Sequence, residues 1–316
     1  MSEEKQTLLD PSFLRKLERL RIQARRAFPG TMRGERRSTR RGSSVEFADF
    51  RKYEAGDDFR HVDWNIYARL ERLMLRQFVE EEDVRIDILV DQSRSMHFGK
   101  PQSKFDSARR AAAALAFLAV SSLDRVGVAA FDSTIKSRMP ALRGRGHLLS
   151  VLTFLDGLPG GKAEPAGDEA MQSSGAEKPA AQTNLSSVLR SYRKASLRTG
   201  ILFVISDFLD SGGFRQEMKL LARRGFDLNL VQVLAQEEIQ PEVGGDLMLV
   251  DSETGEAREI TANARIVAAY KATLAEYTTS LESFCRSTGI GYTMLTADVS
   301  FEDVLLKNLV ESRMAE

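Results

Sequence analysis

Ile86-Asp87-Ile88-Leu89-Val90 runs without a break into Asp91-Gln92-Ser93-Arg94-Ser95. The first five residues have the length and apolar character of a buried strand. The next five place one carboxylate and two hydroxyls on a loop at that strand's carboxyl end. Open α/β sheets bind their ligands at this edge. Hard divalent cations take oxygen ligands there and keep water in their remaining positions. Asp and Ser are also ordinary turn residues, so the reading depends on further oxygens arriving from later strand ends.

From Arg85 onward strand and helix patterns alternate. Strands are predicted at Ile86–Val90, Val126–Phe131, Ile201–Ile205, Asp227–Leu234 and Gly291–Leu295. Helices are predicted at Ser103–Leu123, near His147–Leu155, and at Leu185–Ser196, Phe214–Arg223, Ala262–Arg286 and Phe301–Met314. Asp246–Val250 and Ala257–Ile260 flank Asp251-Ser252-Glu253-Thr254-Gly255-Glu256 as a small hairpin. Such alternation predicts an α/β fold, a mainly parallel sheet with helices on both faces. Residues 157–182 are rich in Gly, Pro, Ala, Ser and Glu, with little to bury, and read as a flexible insert.

The 316 residues are 42% hydrophobic, enough for a substantial core. Forty-five basic side chains balance forty-five acidic ones, so total charge does not point to a general nucleic-acid binder. The single cysteine, Cys285, excludes an intrachain disulfide and a cysteine-based zinc site, and its helical setting suggests a buried, inert thiol. Glu3 and Glu4 precede any apolar stretch, so no secretion signal is expected. The small-apolar run Ala111–Val120 is roughly half of a membrane span. No transmembrane segment and a cytoplasmic location are the expectation.

The charge balance hides an asymmetry. Between Pro11 and Val45 stand eleven basic residues, including Arg36, Arg37, Arg40 and Arg41, against only Glu18 and Glu35, a net charge of +9. Phe13, Leu17, Leu20, Ala24 and Ala27 recur at helical spacing until Pro29-Gly30. This basic segment reads either as a solvated arm or as a surface for an acidic or anionic partner. Beyond it, Phe47, Phe50, Tyr53, Phe59, Val62 and Trp64 alternate with charges of both signs, suggesting an ordered, ion-paired module with these residues as anchors. Gly56-Asp57 reads as a turn, Ile66–Glu71 as a short helix and Leu73–Phe78 as extended.

Two later loops supply oxygens to the first. Thr183 immediately precedes a helix, and Asp207 follows the strand Ile201–Ile205 through Ser206. In a parallel sheet Asp91 and Asp207 emerge at the same edge. The candidate metal site is therefore Asp91, Ser93, Ser95, Thr183 and Asp207, a donor set suited to Mg²⁺ or Mn²⁺. Taken singly, each residue also fits a cap or a local hydrogen bond. Their distribution over three loops favours the cation.

This constellation resembles the metal-ion-dependent adhesion site (MIDAS) of von Willebrand factor type A domains. The resemblance implies that Ser93, Ser95 and Thr183 coordinate directly, that Asp91 and Asp207 act through water, and that a partner's acidic group completes the shell. Asn184 stands where an Asp is frequent in that family. A second resemblance covers nearly the whole chain. Phe50-Arg51-Lys52-Tyr53-Glu54-Ala55-Gly56-Asp57-Asp58-Phe59-Arg60-His61-Val62-Asp63-Trp64, Tyr67-Ala68-Arg69 and the Asp251–Glu256 stretch are similar to the domain-of-unknown-function 58 family. Members are commonly encoded beside MoxR-type AAA+ ATPases, which implies an accessory or adaptor role. The implied organisation is residues 1–84 as a basic helix plus the family-signature region, and 85–316 as a von Willebrand factor type A-like (Rossmann-like) domain.

The expected function is a divalent-metal-dependent interaction or adaptor module linking a MoxR-type ATPase to a client protein or complex. The alternative is a metal-dependent hydrolase or phosphoryl-transfer enzyme. Against it, no companion base stands beside the first loop, and His61, His97 and His147 are scattered. No Gly-x-x-x-x-Gly-Lys-Ser/Thr loop is present for autonomous ATPase activity. The arginines at 33–41 lack the aromatic pattern of an RNA-reading module.

Overall fold

The computed structural model describes residues 8, 15–18, 46–54, 57–79, 84–121, 124–159, 184–196, 198–210, 213–251, 255–297, 299, 301 and 304. The predicted insert beyond Pro159, Thr183, the Arg-rich stretch at 33–41, Gly56 and most of the terminal helix lie outside them. The chain divides into two compact units, Phe28–Val84 and Met1–Ala27 with Arg85–Glu316.

The larger unit is built on a six-stranded sheet. Its strands are β3 (Arg85–Asp91), β4 (Arg125–Phe131), β5 (Ile135–Leu142), β6 (Ile201–Ser206), β7 (Asp227–Leu234) and β10 (Gly291–Thr296), in the order β10-β7-β6-β3-β4-β5. All neighbours are parallel except β4 and β5. Its helices are α2 (Lys104–Ser121), α3 (Arg145–Asp156), α4 (Leu185–Ala195), α5 (Phe214–Arg223), the single turn α6 (Gln236–Ile239) and α7 (Ala264–Thr288). The antiparallel pair β8 (Gly245–Val250) and β9 (Ala257–Ala262) precedes α7.

Strand alternation explains the two covered faces. Leu89, Leu202, Val204, Leu228 and Leu230 share a cluster with Leu185, Val188 and Leu189 of α4, Met218 and Leu221 of α5, and Leu281 and Cys285 of α7. Ile88, Val90 and Ile205 alternate with that set and are fully buried, as is the alanine-rich stretch Ala111–Ala114 of α2. Among the described residues no helix is long and apolar enough to cross a membrane. Cys285 is fully buried, and burial pushes its thiol up to about 11, as an inert core residue requires. At Gly200 a Cβ would stand 2.2 Å from the Arg85 carbonyl oxygen, so glycine is what lets β6 start beside β3.

One strand of this unit escapes the periodicity reading. β5 is absent from the predicted strands because Lys136, Arg138 and Pro140 break its pattern, yet it pairs along β4 as an antiparallel edge. Leu8 and Leu17 are buried, and the Leu8 amide donates to Asp156 Oδ1 at 3.3 Å.

The smaller unit holds the antiparallel pair β1 (Glu46–Lys52) and β2 (Met74–Val79), with a 3-10 turn (Phe59–His61) and α1 (Trp64–Leu70) between them. Its acidic residues are local fasteners. Asp57 Oδ1 accepts from Arg51 at 2.8 Å, Asp58 caps the 3-10 turn, and Asp63 Oδ1 caps α1 through the Asn65 and Ile66 amides at 2.9 and 3.1 Å. The expected aromatic anchors are only partly that. Val62 is buried and Tyr53 stacks on Phe59 at 5.2 Å, but Phe59 and Trp64 keep 59% and 58% of their surface exposed.

At the amino end of β3, Asp87 is buried between the Tyr192 hydroxyl at 2.6 Å and Arg85 Nε at 2.7 Å. Burial, then the Asp87 charge, raises the Tyr192 pKa, so the phenol stays a donor. Tyr192→Phe is expected to cost about 2 kcal/mol, because a buried carboxylate loses a charge-assisted hydrogen bond. Urea denaturation would show this as a lower midpoint at unchanged slope.

Candidate metal centre

β3 leads rightward in the sheet through α2 to β4, and β6 leads the other way through α5 to β7. The switch point of the sheet therefore lies between the carboxyl ends of β3 and β6. Val90 pairs with Ile205, which brings Asp91 beside Ser206 and Asp207. Asp91 and Asp207 are both buried, at 1% and 4% exposure.

The first loop is held from several sides. The Gln92 amide donates to the Phe131 carbonyl at 2.7 Å, continuing the sheet one residue past β3. Ser93 starts a 3-10 turn, Arg94–His97, and Met96 within it is fully buried. Asp91 Oδ1 accepts the Ser93 amide at 2.9 Å, and Oδ2 accepts the Ser206 hydroxyl at 2.6 Å. Ser93 Oγ and Ser95 Oγ lie 3.1 Å apart. His97 packs on Phe105 at 5.1 Å with its ring bonded to the Gln92 carbonyl, and burial lowers its pKa. His147 Nε2 bonds the Val126 carbonyl at 2.7 Å. Both imidazoles are engaged structurally.

The third loop carries backbone strain. Phe208 follows Asp207 with φ of 56°, a left-handed conformation unfavourable for a bulky residue. Its ring is fully buried, and its carbonyl accepts the Tyr277 hydroxyl. Asp207 Oδ1 accepts the Leu209 amide at 3.2 Å, its carbonyl accepts Gln232 Nε2 at 2.9 Å, and Oδ2 accepts the Lys104 ammonium at 2.8 Å. Lys104 also reaches Glu238 Oε1 at 2.6 Å.

The structure thus brings together Asp91, Ser93, Ser95 and Asp207. Thr183 is outside the described residues. The following residue, Asn184, caps α4 by accepting the Ser187 amide at 2.8 Å, and Asp210 Oδ2 accepts the Leu185 amide at 2.9 Å, joining the start of α4 to the third loop. Sequence reasoning missed Ser206, Lys104 and Glu238 as members of the cluster. Alternation along β6 carries the signal for Ser206, which faces the same way as Leu202 and Val204. Nothing distinguishes Lys104 from any lysine in a helix's first turn.

The donors fit a small hard cation. Two adjacent oxygens of an octahedral Mg²⁺ at about 2.1 Å lie about 3.0 Å apart, close to the observed Ser93–Ser95 separation. Among the described residues no three His, Cys, Asp or Glu side chains gather as metal ligands; this donor set combines hydroxyls with only two carboxylates. Burial, reinforced by the nearby Asp207 charge, pushes Asp91 up to about 7, although Ser206 and Ser93 oppose the shift. A buried carboxylate in that state is one a cation would relieve.

Fold and site together define an open, mainly parallel α/β protein with a buried cluster of carboxylates and hydroxyls at its switch point. Over residues 49–280 the chain matches the family described as "Protein of unknown function DUF58", and it belongs to that family. It is 27% identical over 274 residues to an uncharacterized protein of Mycobacterium tuberculosis, covering 84% of this chain and 81% of the relative. A Mycobacterium bovis protein, also uncharacterized, matches to the same degree. Among solved structures, conserved hypothetical protein BatB from Bacteroides thetaiotaomicron is similar with a TM-score of 0.41 and 16% identity, over 74% of this chain and 100% of that one. An aerotolerance-related membrane protein from Bacteroides fragilis has a TM-score of 0.38 and 15% identity over the same shares.

The raised Asp91 pKa has a defined consequence for the cation-free protein. The folded state holds the Asp91 proton more tightly than the unfolded chain, so it binds more protons between pH 4 and 7. Unfolding free energy in chelator is expected to fall by a few kcal/mol as pH rises across that window. Asp91→Asn should remove most of this slope. Urea midpoints of both proteins at several pH values measure the difference, and parallel pH profiles would refute it.

Proposed function

We propose that the protein is a divalent-cation-dependent interaction module of von Willebrand factor type A-like architecture, acting as an adaptor between a MoxR-type AAA+ ATPase and a client protein or complex. The observation that carries this reading is the meeting of Asp91, Ser93, Ser95 and Asp207 at one sheet edge, with the serine hydroxyls 3.1 Å apart. In this reading Ser93, Ser95 and Thr183 hold Mg²⁺ or Mn²⁺ directly, and Asp91 and Asp207 reach it through water. The ion supplies a focused positive charge to which a partner's Asp or Glu adds an oxygen.

Phe98 and Leu209 support a macromolecular partner. They stand on the first and third loops with 51% and 43% of their surface exposed. Apolar side chains flanking a charged anchor suit a protein surface. The hydrolase or phosphoryl-transfer reading has less support, since it calls for a base near the first loop. His97 is the nearest imidazole in the sequence, and its ring is engaged with the Gln92 carbonyl and Phe105.

Mn²⁺ titration by calorimetry is expected to find one site, weakened about tenfold or more by Asp91→Ala or Ser93→Ala with unchanged circular dichroism. A MoxR-type ATPase from the same genome should co-purify in Mg²⁺ and dissociate on chelation. Unaltered Mn²⁺ affinity in both variants would remove the site. Metal binding without either association, but with turnover of a phosphate ester abolished by Asp91→Ala, would move the protein into the enzyme class.

A further inference from the structure

Lys104 opens α2 at the carboxyl edge of the sheet, yet none of its side chain is exposed. A lysine in the first turn of a helix ordinarily carries its ammonium out to water, and burying that charge is costly unless it is well paired. Here it is paired twice, with Asp207 Oδ2 at 2.8 Å and Glu238 Oε1 at 2.6 Å. Burial works against the charge, but the two carboxylates outweigh it and hold the lysine pKa above its ordinary value. Glu238 is anchored from its other oxygen, which accepts the Ala235 amide at 2.8 Å ahead of α6. Asp207 is anchored likewise, through Oδ1 and the Leu209 amide.

The two aspartates of the site therefore differ. Asp91 accepts from the Ser93 amide and from serine hydroxyls, all neutral donors. Asp207 shares an oxygen with a full positive charge that cannot retreat into solvent. A cation bound directly to Asp207 would stand within a few ångströms of that ammonium, where Coulomb repulsion is strong and unscreened by water. Resting on the metal reading above, we propose that Lys104 is a positioning residue of the cation site, which holds Asp207 one water away from the ion and keeps cation binding weak enough to exchange.

Lys104→Met/Glu238→Gln tests this directly, because it removes one positive and one negative charge. The net charge of the cluster is unchanged, the Ala235 amide keeps an acceptor, and Asp207 is freed. Calorimetry with Mn²⁺ alone is expected to show about tenfold tighter binding than wild type. Magnetic resonance in ¹⁷O-labelled water should count one fewer water on the bound Mn²⁺, a change that mere stabilisation of the fold would not produce. Glu238→Gln by itself leaves the ammonium wholly to Asp207 and should weaken binding, and it carries the test if the double variant does not fold. Equal or weaker affinity of a folded double variant with the same water count would overturn the inference, as would unchanged or tighter binding in Glu238→Gln. A wild-type protein with no Mn²⁺ site sensitive to Asp91→Ala would instead sink the metal reading itself, and this inference with it.

Discussion

Two carboxylates of like sign, Asp91 and Asp207, sit at the ends of adjacent strands with almost no access to water, and much of the surrounding structure answers that arrangement. Ser206 and the Ser93 amide solvate Asp91 in place of water. Lys104, the Leu209 amide and the strained turn at Phe208 hold Asp207. A core built for stability alone would have apolar residues here, since buried charges rarely repay their desolvation. Their retention at the switch point is what makes this edge the candidate site.

The larger unit was legible wherever burial imposed a period. Phe214–Arg223 and Asp227–Leu234 end where the pattern ends, because each must keep one face on the core or be buried on both. Elements that carry little buried surface were not legible. β1 lies in the stretch whose mixed charges and aromatics predict an ordered, ion-paired module without marking a strand, and α6 is a single turn defined by the contacts of Glu238. Asp91, Ser93, Ser95 and Asp207 could be anticipated because strand ends in a parallel sheet share an edge. Lys104 could not: its partners, Asp207 and Glu238, lie 103 and 134 residues away along the chain.

The signature region divides its residues between two tasks. Asp57, Asp58 and Asp63 are consumed in pairing and capping, which explains acidic residues at fixed offsets from Arg51, Arg60 and the start of α1. Trp64 and Tyr67 meet edge to face at 6.2 Å, and both remain exposed. Among the described residues of this unit the buried apolar side chains are instead Val62 and Leu75, which bridge each other across the turn and β2.

β5 ends the large sheet on one side, and its composition bears on how this protein behaves at high concentration. An exposed edge strand is a template onto which a second chain can add, the first step toward fibrous aggregates. Lys136, Arg138 and Pro140 fall on alternate, exposed positions of β5. Two charges resist the approach of an identical strand, and proline has no amide hydrogen to offer it. The residues that disguise β5 in the sequence thus act as gatekeepers, making this edge a poor seed for self-association while the chain is being synthesised and folded in a crowded solution.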